Sequence, residues 1–412
     1  MESVGANETS RSSRWKWQVC ALLLFASVIN YMDRQTLANA ATRITRQFQL
    51  SQEHYGELEF GFGWAFAVGS VIFGVLVDKF SVRKVYPIGL VLWSATGFAT
   101  GLVHDFNGLL ICRTLLGLFE GCHWPCAVKT TRLLMDAKDR SMGNSVLQSG
   151  TSIGAIITPL VMRAMLTDDP ASWRWPFLVV GAAGVIWVFF WLRLVRESDI
   201  AAPPEKKDAT SLWPLIFSRR MLIILFVIAC INTGWQTIRA WLPKYLQEGR
   251  GYSESAALYF NSLFYIATDV GVIGAGALTL WLVKKRGFSV TRSRVAAFGV
   301  CAVLSSLAVF LPLLPNGPLL LAVFLLMGAG ALGVFPIYHA FTQDLSREHQ
   351  GKVTGIASIA AWAFAPPAQK FFGRLVDNTK SFDVGFVIAG LLPMAALVAL
   401  WLFWPAETTE EK

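Results

Sequence analysis

Apolar residues run along this chain in long blocks separated by short polar stretches. The blocks span residues 17–41, 55–78, 83–103, 107–135, 141–166, 172–196, 220–247, 254–283, 291–312, 316–343, 350–376 and 381–405. A helix rises 1.5 Å per residue, so about 20 apolar residues cross a hydrocarbon core of about 30 Å. The pattern predicts an all-α integral membrane protein with twelve transmembrane helices. The longest polar interruption, "RESDIAAPPEKKDATS" at 196–211, has no apolar helical face and reads as a linker. It divides the chain into residues 1–195, a cytoplasmic linker at 196–213, and residues 214–412.

A weak internal repeat supports that cut. Asp136 and Gly143 after the fourth block correspond to Asp344 and Gly351 after the tenth, at an offset of 208 residues, and Pro159 and Pro367 share that offset. Two pseudo-symmetric six-helix bundles joined by a central linker suit a transporter whose halves rock about a midplane site.

Composition agrees: 54% of residues are hydrophobic and 15% charged, too few charges to solvate a soluble protein of 412 residues. The formal net charge of +9 is read by location. With twelve spans and a cytoplasmic N-terminus, about 24 Lys and Arg fall on the inner side and about 9 on the outer side, which predicts that both termini are cytoplasmic. The excess positive charge is thus an insertion signal in a plasma (inner) membrane protein, with no nucleic acid implied. The N-terminal segment has no small-residue cleavage site, and its first block reads as retained. Trp15 and Trp17 read as interfacial anchors. All six cysteines lie inside predicted spans, which argues against a disulfide framework. Cys122, His123 and Cys126 offer three potential ligands on one apolar helix, a poor metal site, and neither metal nor other cofactor is expected.

Between the second and third blocks the chain reads "GVLVDKFSVRK", with Gly74, Asp78, Lys79, Arg83 and Lys84. This resembles the signature loop of the major facilitator superfamily, departing at Ser81 where that family usually has Gly. "RTLLGLFEG" places Gly117 and Gly121 four residues apart after Arg113, keeping one helix face small. "NYMDR" at 30–34 resembles the start of the anion:cation symporter branch. "WQTIRAWLPKYLQEGRGYSESAALYFNSLFYIATDVGVIGAG" is most similar to its hexuronate permease group, at Trp235, Trp241, Pro243, Gly251, Tyr252, Asp269 and Gly271. "SGTSIGAIITP" at 149–159 is similar to the same group, while aldonate permeases carry Gln where this chain has Thr151. The resemblance implies the major facilitator fold and a monomer.

Charges at membrane depth are the candidate chemistry, because one on a lipid-facing helix costs about 3 kcal/mol or more and therefore turns inward. Asp33 and Arg34 address neighbouring faces of one helix, with Tyr31 one turn before Arg34. They read either as a static pair that fixes packing or as an ion and substrate site. Arg113 and Glu120 lie two turns apart on one face, roughly 10 Å. The resemblance implies that Arg34 and Arg113 engage an anionic substrate while Asp33 and Glu120 carry protons. An arginine fork matches a carboxylate bidentately and stays charged, and a protonated neighbouring acid would release it. Arg239, between Trp235 and Trp241, is open to two readings, a substrate contact or an interfacial residue. Asp269 reads as functional, with proton coupling as its role. Trp362, with Ser358 one turn before it, could stack on a sugar ring, and Thr151 completes the candidate substrate set. Gly74, Asp78, Lys79 and Arg83 read as gating residues, with Asp78 capping a helix or pairing across the interface between halves.

The expectation is a proton-coupled symporter of a small organic anion, a hexuronate or other sugar acid, working by alternating access in the lipid bilayer. The alternatives are an organic anion or organophosphate exchanger without proton coupling, or a transporter-like membrane sensor. Enzyme chemistry is not expected: there is no Gly-Lys-Ser/Thr phosphate loop and no nucleophile constellation beside these charges.

Overall fold

The computed structural model describes residues 13–135, 140–200, 217–345 and 350–404, which carry α-helices and short helical turns. The helices in the first segment are α1 (Ser13–Gln47), α2 (Gln52–Lys79), α3 (Val82–Thr100), α4 (Phe106–Glu120), α5 (His123–Leu134), α6 (Arg140–Met165) and α7 (Arg174–Leu194). The second segment holds α8 (Arg219–Lys244), α9 (Glu254–Arg286), α10 (Val290–Ser306), α11 (Pro318–Leu345), α12 (Gln350–Thr379) and α13 (Asp383–Phe403). Most of the interhelix linker and Asp136 of the repeat lie outside the described residues. Pro159 and Pro367 sit inside α6 and α12.

Side-chain oxygens of small polar residues start six of these helices. Ser51, Ser81, Asp105, Ser218, Ser253 and Ser289 cap α2, α3, α4, α8, α9 and α10, each accepting a backbone N–H of the first turn. The block at 107–135, expected as one helix, is instead broken between Glu120 and His123 into α4 and α5. Pro125 supplies the reason: it has no N–H to give to the Gly121 carbonyl four residues back. Glu120 is therefore the last residue of α4, beside an irregular turn.

Eight helical stretches among the described residues are long and apolar enough to cross a membrane by length and composition. They do not include α1, α3, α4–α5 or α12. The shortfall of α1 follows from its buried polar residues Asn30, Asp33, Arg34, Gln35, Thr36 and Asn39, which face other helices. The outer surface is apolar instead, as lipid requires: Val68, Val71 and Ile72 of α2, Val185 and Ile186 of α7, and Val270 and Ile273 of α9 are all exposed. Trp15, expected at an interface, is buried and donates its indole N–H to the Leu194 carbonyl at 2.8 Å.

Helices of the first segment pack mainly on one another, α1 on α6 and α7, α2 on α4, and α3 on α7. The second segment does the same, α8 on α12 and α13, α9 on α11, and α10 on α11 and α13. The small face expected on α4 is real: a Cβ at Gly117 would meet the Phe62 backbone, and one at Gly121 the backbone of Gly69 and Ser70. The segments meet along α2–α12, α6–α9 and α1–α8.

This seam is tied at one end of the molecule, where α1 ends and α2 begins. Arg43 holds Glu254 through two hydrogen bonds of 2.7 and 2.6 Å, Lys370 reaches Glu57 at 2.7 Å, and Arg374 reaches Glu53 at 2.6 Å. The Asp377 carboxylate accepts the backbone N–H groups of Gln52 and Glu53, and Lys244 donates to Thr45. Deeper in, Asn261 donates to Asn39, Gln35 to Tyr265, and Ser152 to Asp269.

Candidate functional site

At mid-depth along the seam, α1, α2, α4 and α8 bring together Asp33, Arg34, Glu59, Arg113, Glu120 and Arg239, each at most 5% exposed. The backbone of a helix satisfies itself, so these side chains carry the polarity of the site. Arg34 Nε donates to Glu120 at 2.7 Å. Arg113 Nη2 donates to Glu59 at 2.9 Å, and Arg239 Nη2 donates to the other Glu59 oxygen at 2.6 Å. Arg239 Nε also donates to Gln236. Beneath the guanidinium groups lies an aromatic floor: Arg34 stands 4.4 Å from the Phe66 ring centre and 5.2 Å from that of Phe62, and Arg113 stands 4.2 Å from that of Phe62.

Several donors in this cluster have no partner. Arg34 Nη2, Arg113 Nε and Nη1, and Arg239 Nη1 are buried without a hydrogen bond, as are one oxygen of Asp33 and one of Glu120. Buried polar groups are normally satisfied, so this concentration of orphaned guanidinium donors marks a place for an anion. A narrow cavity of about 10 Å³, room for about one water, lies beside it, lined by Glu59, Phe62, Gly63, Gln236, Arg239, Trp362, Ala365, Pro366 and Gln369.

The expected site residues divide accordingly. Tyr31 is half-buried with its ring 5.9 Å from the Arg34 guanidinium. Arg239 is 3% exposed and bonded to Glu59, so the interfacial reading falls. Trp362 packs on Phe66 at 4.9 Å and forms part of the pocket wall. Trp235 is buried, stacked on Phe264 and edge-on to Tyr265. The Thr151 hydroxyl donates to the Gln148 carbonyl of its own helix, and Ser358 is exposed. Asp269 accepts a 2.8 Å hydrogen bond from Ser152 of α6, away from the arginine cluster.

The signature-loop residues lie at the far end of α2 from the tied seam. Asp78 pairs with Lys129 of α5 at 3.0 Å, a contact inside the first segment rather than across the seam. Arg83 donates to the Val195 carbonyl, Lys79 is exposed, and Gly74 has open space beside it. His123 is accounted for by hydrogen bonds with Ser27 and Tyr86.

Glu59 is the residue that sequence reasoning missed. Its signal was an acid inside the apolar block at 55–78, with Tyr55, Phe62 and Phe66 on its helix face at spacings of four, three and seven.

The Major Facilitator Superfamily model matches residues 23–368. The chain belongs to that superfamily. It is a multi-pass membrane transporter, not an enzyme. The chain is 26% identical to the probable L-galactonate transporter of Escherichia coli (strain K12), with 95% of this chain and 90% of that protein covered. It is 28% identical to the hexuronate transporter of Bacillus subtilis (strain 168), covering 95% of each. Among solved structures, a bacterial homolog to the human lysosomal transporter Spinster, in an inward-facing and occupied conformation, aligns with a TM-score of 0.74. That alignment covers 95% of this chain and 96% of the other at 16% identity, which speaks to the fold alone.

Proposed function

We propose that this transporter carries a sugar acid, a hexuronate or a related aldonate, inward across the plasma (inner) membrane together with protons. The observation that carries the reading is the set of four buried, unpartnered guanidinium nitrogens on Arg34, Arg113 and Arg239. The ligand's carboxylate engages these forks, and Trp362 offers an apolar face to its carbon skeleton. The sugar-acid names of the relatives support the class of substrate.

Charge balance supports proton coupling. Asp33, Glu59 and Glu120 offset Arg34, Arg113 and Arg239 one for one when all are ionised. A ligand anion added to that balanced, water-poor cluster leaves a buried uncompensated charge unless a carboxylate takes up a proton. Asp33 and Glu120 are the first candidates to do so, with Asp269 as a further carboxylate at the seam.

Two six-helix bundles, residues 1–195 and 214–412 about the linker at 196–213, rock about this site in a twelve-span, monomeric carrier. The asymmetry of Lys and Arg puts both termini in the cytoplasm, which makes the tied end of the seam the outer one. Gly74, Asp78, Lys79 and Arg83 then lie on the cytoplasmic side, where they act in gating.

Uptake into proteoliposomes tests the reading. The expected result is accumulation of labelled galacturonate or galactonate driven by an inwardly directed proton gradient. Uptake that requires a counter-substrate inside and ignores the pH gradient makes the protein an exchanger, and no flux of any sugar acid refutes the proposal.

A further inference from the structure

Among the described residues, Glu59 has a placement that no other buried acid shares. Its two oxygens each hold a different guanidinium, Arg113 of α4 at 2.9 Å and Arg239 of α8 at 2.6 Å. One carboxylate thereby bridges the two segments of the chain at the centre of the seam. It also forms part of the wall of the narrow cavity beside the cluster, next to Arg239, Gln236 and Trp362. A sugar acid presents the same chemical group, with the same two oxygens, to the same two forks.

We propose that Glu59 is an internal competitor of the substrate: the incoming carboxylate displaces it from Arg239 and Arg113, and Glu59 leaves as the neutral acid. The inference rests on the sugar-acid reading above and adds a residue and an exchange to it. The step balances. One carboxylate arrives, one proton from the bulk binds a Glu59 oxygen, and the two guanidinium groups keep one anionic partner throughout. Without the proton, the released Glu59 would be a bare charge in an apolar wall of Phe62, Trp362 and Pro366. The exchange also frees α2 from its direct bond to α8, leaving the ligand as the bridge.

The charged and titratable groups that face Glu59 are Arg113 from α4, Arg239 from α8, Tyr265 from α9 and Tyr55 on its own helix, while α12 contributes the neutral Trp362 and Gln369. No other acid contacts this carboxylate among the described residues; Glu59 carries the proton of the displacement step, and Asp33 and Glu120 remain the carriers of a further proton.

Binding of galactonate and galacturonate to the purified full-length protein, measured across pH, tests the exchange. One proton taken up per ligand weakens affinity by about tenfold for each pH unit above the uptake range. Glu59→Gln, with no anion to displace, should flatten that slope by one proton and bind more tightly than wild type at alkaline pH. Glu59→Asp keeps the charge but is too short to span both forks, so it should keep the slope and also bind more tightly at alkaline pH. A Glu59→Gln slope equal to that of wild type, or an Asp variant that binds more weakly than wild type, overturns the proposal. If Glu59→Gln does not fold, the Asp variant alone decides. Wild type that binds neither ligand at any pH refutes the sugar-acid reading and this exchange with it, which separates that failure from one seen only in the variants.

Discussion

Gly56 lies at the tied end of the seam, where α2 presses its backbone onto α12. A Cβ built there would stand 3.0 Å from the Lys370 Cα and nearer still to the Gln369 carbonyl oxygen. Ordinary contacts of that kind begin at 3.4 Å, and both atoms are backbone, so no side chain can swing away. Gly56→Ala therefore forces the two helices apart at that point. Overpacking of this size costs about 1–3 kcal/mol, and if the seam opens during transport the cost falls only on the closed arrangement. The equilibrium should then shift toward opening at this end by about 5- to 150-fold. Thr42 gives a reporter: it is 3% exposed, its hydroxyl has no partner, and it borders the space between Arg43, Arg46, Tyr252 and Glu254. Labelling of Thr42→Cys by a membrane-impermeant maleimide should quicken by that factor in the Gly56→Ala background. Gly276→Ala, where the added methyl meets nothing within 4 Å, should leave the rate unchanged. A normal melting temperature with no change in Thr42→Cys labelling would refute the idea that α2 and α12 part at this end.

Arg34→Lys keeps the positive charge but loses the fork that bonds Glu120 through Nε, and uptake should fall by about tenfold or more; wild-type uptake in the assay would remove Arg34 from the site. Glu120→Gln should abolish accumulation driven by a proton gradient while sparing counterflow between equal concentrations of substrate; accumulation at the wild-type level would show that coupling resides elsewhere.

The residues differ in how far the sequence alone exposed them, and the difference has a physical basis. Blocks of apolar residues announce helices because lipid and helix–helix contacts impose the same requirement along a whole segment. Arg34, Arg113, Glu120 and Arg239 stood out because a charge in such a block is costly wherever it points. Side-chain direction is another matter. Thr151 lies in a plausible helix, yet its hydroxyl bonds back to Gln148, a common fate of Thr within a helix. Glu59 lies only four residues inside the block at 55–78 with Glu53 and Glu57 just before it, so its place in the sequence does not separate a buried acid from one at the membrane interface, although Phe62 and Phe66 share its face. Pro125 was visible, but the apolar run continues through it, so the bend that leaves Glu120 at a helix end was not. Partners such as Asn39 and Asn261, or Gln35 and Tyr265, are more than 200 residues apart, and no local periodicity reports such pairs.

The ties across the seam also grade in strength with depth, which bears on why a carrier would place a carboxylate like Glu59 at its centre. Arg374 and Glu53 are 58% and 30% exposed, and pairs of that kind contribute about 1 kcal/mol or less. They can break and re-form as the seam opens without fixing either state. The Arg239–Glu59 pair is 3% and 2% exposed, and removing one partner leaves a buried charge at a cost of about 3–5 kcal/mol. In an empty carrier with Glu59 ionised, breaking that pair without a replacement strands a buried charge, so the pair resists opening more than the exposed ties do. A proton alone discharges Glu59 but strands Arg239, and a ligand alone adds an anion that the cluster cannot balance. Only the two together replace what is lost, so the energetic asymmetry between the buried and exposed ties would itself enforce coupling between substrate and proton.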